Sequence, residues 1–273
     1  MMEYIGIFAI GFGISAFGTL VGFGGGVFMV PILTLVFQIP IQLAIGCVII
    51  ALFPSALLST ILNSRLRLVD FVVGIMLEIP TVIGTIIGAR LTNTLPTNQL
   101  EILFSIMIIC VGITMLRRKA DSGSTQLSFF NKLNGLPPRF KRETASGTYR
   151  MSGLTVTLFG LISGMIAGLF GVGGGFIKGP LMVLGFGIPA RIAAATALFM
   201  IVITSAVGSI SHYLLGHIQW EIGLLLVLSF TLGAIFGNRR ARVTSETTLV
   251  RFIGVGLIAA GLSMAVSVAT HAV

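Results

Sequence analysis

The sequence predicts an all-α integral membrane protein of about ten membrane segments, arranged as two inverted-topology repeats of five. Three observations predict it. The 273-residue chain is 55% hydrophobic and only 9% charged, with a mean hydropathy of +1.07, far outside the range of soluble globular proteins. Apolar stretches long enough for a helical crossing, which takes roughly 20 residues, recur from Tyr4 to the C-terminus. Finally, the chain matches itself at a shift of 149 residues with its glycines and prolines in register.

The register is what makes the third observation informative, because apolar matches alone mean little in such a chain. Gly22 and the run Gly24, Gly25, Gly26 fall on Gly171 and Gly173, Gly174, Gly175. Pro31 falls on Pro180, Ile39-Pro40 on Ile188-Pro189, Ala44 on Ala193, and Gly74, Gly84 and Gly88 on Gly223, Gly233 and Gly237. Arg90 meets Arg239, Leu100 meets Leu249, and Gly112 meets Gly261. The first repeat covers 1–116 and the second 151–273, with a linker at 117–150 between them.

Each repeat shows one series of events: a span ending at a glycine cluster, a short helix, then three longer spans. The segments expected are 4–21, 27–37, 42–64, 71–91 and 99–116, then 152–170, 176–187, 190–215, 220–238 and 248–270. Those after the glycine clusters have about a dozen residues at ~1.5 Å rise each, too few to cross alone. They read as half-helices or as arms of re-entrant hairpins.

Charge sets the orientation. Eight of the seventeen Lys and Arg residues lie between Arg117 and Arg150, and a basic loop between spans belongs on the cytoplasmic side. That placement explains the net charge of +9 without a nucleic-acid partner. The loop after the third segment is basic in the first repeat (Arg65, Arg67) and uncharged in the second. The next loop does the reverse, with Arg90 in the first repeat against Arg239, Arg240, Arg242 and Arg251 in the second. Matching loops therefore lie on opposite sides, so the repeats are inverted and both termini are expected outside. The N-terminal MMEYIGIF carries an acid where a signal peptide carries bases, so the first helix is expected to stay. Cys47 and Cys110 sit in apolar runs and read as packing residues.

A glycine run at membrane depth frees backbone N–H and C=O groups, which is tolerated only inside protein or against a hydrated cavity. The helix restarting after each run points its N-terminus there, and its free N–H groups and dipole suit an anion. Gly22, Gly24, Gly25 and Gly26 with Gly171, Gly173, Gly174 and Gly175 are thus candidate ligand-binding positions. The alternative is close packing of helices through small residues.

The stretches VGFGGGVFMVPILTLV and GLFGVGGGFIKGPLMVLGFGIPARIAAATALFMIVITSAVGSISHYLLGHIQW resemble the two halves of the TauE/SafE family, the sulfite exporter or TSUP group of bacterial transporters. The likeness spans nearly the whole chain and extends to the duplication and the basic middle loop. It implies a multi-pass protein of the bacterial cytoplasmic membrane that carries sulfite, an organosulfonate or a related small anion by alternating access. Where the family has A-x-G-T-S after the second proline, this chain has Ala44-Ile45-Gly46-Cys47-Val48 and Ala193-Ala194-Ala195-Thr196-Ala197. Only Thr196 keeps a hydroxyl there, which makes it a candidate substrate contact, with Cys47 in its place on the other side.

Among the polar residues, Lys178 lies in the first turn of the second short helix and is a candidate anion contact, while its repeat partner is Met29. Glu78 lies in the fourth segment opposite Val227; a buried carboxylate there could carry a proton in a coupled cycle or pair with a base. Arg191 reads as an interfacial anchor. Asn63 and His212 occupy matching positions near span ends and suggest helix-end hydrogen bonds, and His217 falls in an outer loop. Counting His271, the three histidines give no metal spacing. Thr204 and Ser205 offer hydroxyls to a pore or back to their own helix.

No cofactor motif occurs. An intramembrane enzyme would need a nucleophile and base or a metal constellation, and neither is apparent. The expected partners are a small anionic substrate and the lipid bilayer. Proton or sodium coupling and a homodimer are compatible with the sequence, as are an anion channel and a transporter of small carboxylates.

Overall fold

The computed structural model describes residues 2–117, 135–144, 147–240, 255 and 258–266. Helices cover α1 Met2–Val21, α2 Gly26–Leu35, α3 Ile41–Arg65, α4 Phe71–Thr94, α5 Thr97–Arg117, α6 Gly153–Phe170, α7 Gly175–Phe186, α8 Ala190–Leu214 and α9 Trp220–Arg240, and 258–266 is also helical. Among the described residues, α1, α3, α4, α6, α8 and α9 are long and apolar enough to cross a membrane. The 10-residue α2 and 12-residue α7 are not. Most of the expected tenth segment and the linker from 118 to 134, with Arg242, Arg251, Leu249 and His271, lie outside the described residues.

The helix boundaries follow local chemistry. Pro40 and Pro189 stand just before α3 and α8 with nearly the same backbone, φ −49° and −53°, ψ 135° and 136°, fixing the chain direction at each helix entrance. Asp70 caps α4, its Oδ1 accepting from Val72 N and Val73 N at 3.2 Å. The linker differs from expectation. It contains an antiparallel hairpin, β1 Arg139–Thr144 paired with β2 Gly147–Ser152, so the protein is not wholly α and the second repeat is preceded by strand as far as Ser152. RFKRET carries no apolar alternation, the signal by which a strand is read from sequence.

Packing repeats with the 149-residue register. A Cβ on Gly84 would collide with Leu161 O and one on Gly88 with Met165 O, while in the other half Gly233 meets Phe12 O and Gly237 meets Ala16 O. These two seams, α4 against α6 and α1 against α9, are backbone-to-backbone contacts that only glycine permits. Hydroxyls fasten both: Thr81 Oγ1 donates to Gly160 O at 3.0 Å and Ser15 Oγ to Phe230 O at 2.7 Å.

The contacts also give helix directions. Along α4 and α8, Gly74 meets Phe199, Glu78 meets Thr204 and Gly208 meets Thr85, so these two run the same way. Along α3 and α9, Ile50 meets Gly223, and Ser59 and Asn63 meet Asn238, so they too are parallel.

Candidate functional site

Both glycine clusters meet at the centre of the helix assembly. Gly22, Gly24, Gly25, Gly171, Gly173 and Gly174 have φ between 64° and 95°, the left-handed region that glycine enters without a Cβ clash. A Cβ on Gly24 would lie 3.0 Å from Leu52 Cδ2, and one on Gly173 would lie 3.1 Å from Ile201 Cγ2. Leu52 on α3 and Ile201 on α8 are themselves repeat partners, so each loop packs over the same crossing point. The loops also touch each other: a Cβ on Gly26 would be 3.2 Å from Val172 Cα and one on Gly175 would be 3.0 Å from Gly22 O. No side chain caps the start of α2 or α7.

Beside the second loop lies a buried polar triad. Lys178 Nζ, four positions after Gly174, is 2.6 Å from Glu78 Oε2 and donates to Thr204 Oγ1 at 2.9 Å. The Thr204 hydroxyl in turn donates to Glu78 Oε1. Exposure is 0% for Lys178, 2% for Glu78 and 0% for Thr204, so α7, α4 and α8 each contribute one buried polar group to the triad. The stem of Lys178 runs past the loop: its Cε would be 3.3 Å from a Cβ on Gly174. Lys178 and Glu78, which the sequence offered separately, are therefore one unit.

The apolar cluster around Val73, Leu77, Met182, Phe186, Ala197 and Met200 covers the triad on the side where α4 and α8 begin. Further along the same helices Thr81, Thr85 and Ser205 are also buried, with the Thr81 hydroxyl donating to Gly160 O of α6 and that of Thr85 to Thr81 O of its own helix. Ser205 Oγ donates to Ile201 O, back to its own helix.

Thr196 and Cys47 occupy matching positions and do matching things. Thr196 Oγ1 accepts from Asp70 N at 3.0 Å, and Cys47 Sγ donates to Gln219 O at 3.3 Å; Asp70 and Gln219 are themselves repeat partners. Each side chain ties the interhelical loop of the other half, and the Thr196 hydroxyl is taken up at the start of α4. Arg191 is exposed at the start of α8. Asn63 bonds back to Ser59 O at 2.8 Å and across to Asn238 Oδ1 at 3.1 Å.

His212 and His217 form a pair that sequence spacing did not bring together. Their Nδ1 atoms are 3.0 Å apart, and His212 Nε2 is 2.8 Å from Gly168 O. A carbonyl only accepts, so His212 carries its proton on Nε2 and His217 donates from Nδ1. His217 is buried at 8% exposure, contrary to the solvated loop expected, because its backbone packs against Gly46 of α3. Burial lowers its pKa from the ordinary histidine value and favours the neutral ring.

The family described as Sulfite exporter TauE/SafE matches residues 7–264 of this chain. The chain belongs to the TauE/SafE family. Over 273 aligned residues, covering 96% of this chain and 97% of the relative, it is 29% identical to the probable membrane transporter protein YunE of Bacillus subtilis (strain 168). It is 22% identical to the probable membrane transporter protein YdhB of the same organism over 248 residues, covering 89% of this chain and 92% of that one. No solved structure matches. Membership fixes a multi-pass membrane protein among transporters, and no enzymatic activity is indicated by these relatives.

Proposed function

We propose that the protein is a secondary transporter of a small anion, a sulfur oxyanion such as sulfite or an organosulfonate, across the bacterial cytoplasmic membrane. It would work by alternating access between two inverted repeats. The observation that carries the reading is a lysine with no solvent exposure, Lys178, held in the first turn of α7 beside two touching glycine loops. A buried charge in a membrane helix is costly and marks a substrate or ion pathway, and the uncapped helix N-termini add positive potential. The family described as a sulfite exporter supports the substrate class. In this reading Gly22, Gly24, Gly25, Gly26, Gly171, Gly173, Gly174, Gly175 and Lys178 surround the anion, and Thr196 supports the helix entrance behind them.

Inversion is supported by the helix directions. Helix α9 follows α8 after a loop at 215–219 and runs parallel to α3, so α8 runs opposite to α3, its counterpart. With the basic linker inside, both termini come to lie outside. A reporter fused after Val273 is expected to be active only outside the cytoplasm; cytoplasmic activity would overturn the inverted arrangement.

The transport reading is tested in proteoliposomes by uptake of sulfite, sulfate, thiosulfate, taurine, sulfoacetate and simple carboxylates, with a proton or sodium gradient imposed. Saturable movement of at least one sulfur anion is expected. Movement of none, in either direction, would overturn it.

A further inference from the structure

We propose that anion binding and protonation of Glu78 are a single exchange at Lys178. The anion takes the place of the Glu78 carboxylate on the ammonium, the displaced carboxylate takes up one proton, and each anion is carried together with that proton. The inference rests on the anion-transport reading above and adds to it the coupling ion, the residue that bears it and the stoichiometry.

Counting charge leads to it. Lys178 Nζ is bound by Glu78 Oε2 and Thr204 Oγ1, and neither end of the ion pair is accessible to water. The buried site is therefore neutral as it stands. An anion reaching Nζ while Glu78 stayed ionised would set two negative charges on one ammonium, and an uncompensated buried charge costs several kcal/mol. A proton on Glu78 removes that penalty and leaves Lys178 free for the anion.

Beyond the partial charge of the helix N-termini, no neighbouring side chain among the described residues supplies a second full positive charge. Thr204 faces the pair from α8 with a hydroxyl, and the Ser163 carbonyl of α6 lies beside Gly174; neither titrates. The His212 and His217 rings are bound to each other and to Gly168 O. Freed from Glu78, the Thr204 hydroxyl can donate to the anion, so both donors now spent on the carboxylate would pass to the ligand. The stoichiometry is one because the positions matching Lys178 and Glu78 hold Met29 in the first repeat and Val227 in the second. The steps balance: a proton from water on one side forms an O–H bond on Glu78. On the other side the anion leaves, the proton returns to water and the Lys178–Glu78 pair re-forms. For a monoanion the site is neutral throughout.

The test uses purified full-length protein and two monoanions that bind no proton near neutrality, methanesulfonate and isethionate, together with sulfite. In detergent, the wild-type Kd should tighten by up to about tenfold for each pH unit lowered between about pH 8 and about pH 6. For Glu78→Gln, which cannot ionise, the Kd should be independent of pH and at least as tight as the wild-type value at the acid end. In vesicles with a trapped pH dye, the wild type should bring in about one proton per anion and accumulate the anion up to about tenfold per unit of inward acid gradient. Glu78→Gln should equilibrate the anion without protons. Wild-type binding or transport independent of pH would overturn the inference while leaving the transport reading intact, as would pH dependence persisting in Glu78→Gln. Should that variant not fold, the wild-type pH dependence and proton count decide. Transport of none of the three by the wild type would overturn both readings.

Discussion

The two repeats share a backbone plan and differ in one place that matters. Where the second carries Lys178, Thr204 and a bond to Glu78 of the first, the pseudo-symmetric positions hold Met29, Ser55 and Val227. Met29 is fully buried in the large apolar cluster and Val227 packs against it. The same architecture is therefore built once with an apolar lining and once around a buried ion pair. A buried ion pair is weak support for stability, since apolar replacements of similar volume are often neutral or better. The comparison teaches that the fold does not require the charges.

The sharpest way to break the comparison is to remove one charge and then both. Lys178→Met leaves Glu78 buried without its counter-ion, and we expect a loss of about 3–5 kcal/mol together with loss of transport. Lys178→Met combined with Glu78→Val copies the pseudo-symmetric apolar site and should recover most of that stability without recovering transport. Thermal unfolding in detergent checks both.

A smaller effect tests whether the repeats are alike where they should be. Gly88→Ala and Gly237→Ala each drive a Cβ into a facing backbone carbonyl, Met165 O and Ala16 O. Each should cost about 1–3 kcal/mol, and the two losses should agree within a factor of about two; a cost at only one would deny the seams equal roles. The smallest effect concerns His212, whose counterpart is Asn63. His212→Asn should cost on the order of 1 kcal/mol through loss of the bond to Gly168 O, measured as a lowered melting temperature with transport retained.

Much of this architecture was legible in the sequence because glycine and proline mark backbone events that other residues cannot replace. Gly24 and Gly173 need positive φ, Gly84 and Gly233 need contact with a backbone carbonyl, and Pro40 and Pro189 begin helices. All six stand in register. Pairings between side chains distant in sequence were not legible. Lys178 and Glu78 lie 100 residues apart, and only the packing of α4, α7 and α8 makes them one group. Thr204 resembled any helix hydroxyl until it was seen to bridge them. His212 and His217 are five residues apart, a spacing that a continuous helix would not turn into a contact; the break after Leu214 does so. The linker hairpin escaped because its first strand, RFKRET, carries no alternation and its second, GTYRMS, has only Tyr149 and Met151 in alternate positions, too short a signal to read as a half-buried sheet.

The central claim is that the charged member of this pseudo-symmetric pair is the transport site. Its most direct test is uptake of sulfite, thiosulfate and sulfoacetate by proteoliposomes containing equal amounts of folded wild type and of the Lys178→Met, Glu78→Val double variant. We predict saturable uptake of at least one of these anions by the wild type, and a loss of at least about 100-fold in the variant, as a charge-assisted contact worth roughly 3 kcal/mol would give. Equal uptake by the two would contradict the account, because a copy of the pseudo-symmetric apolar site would then serve as well as the ion pair.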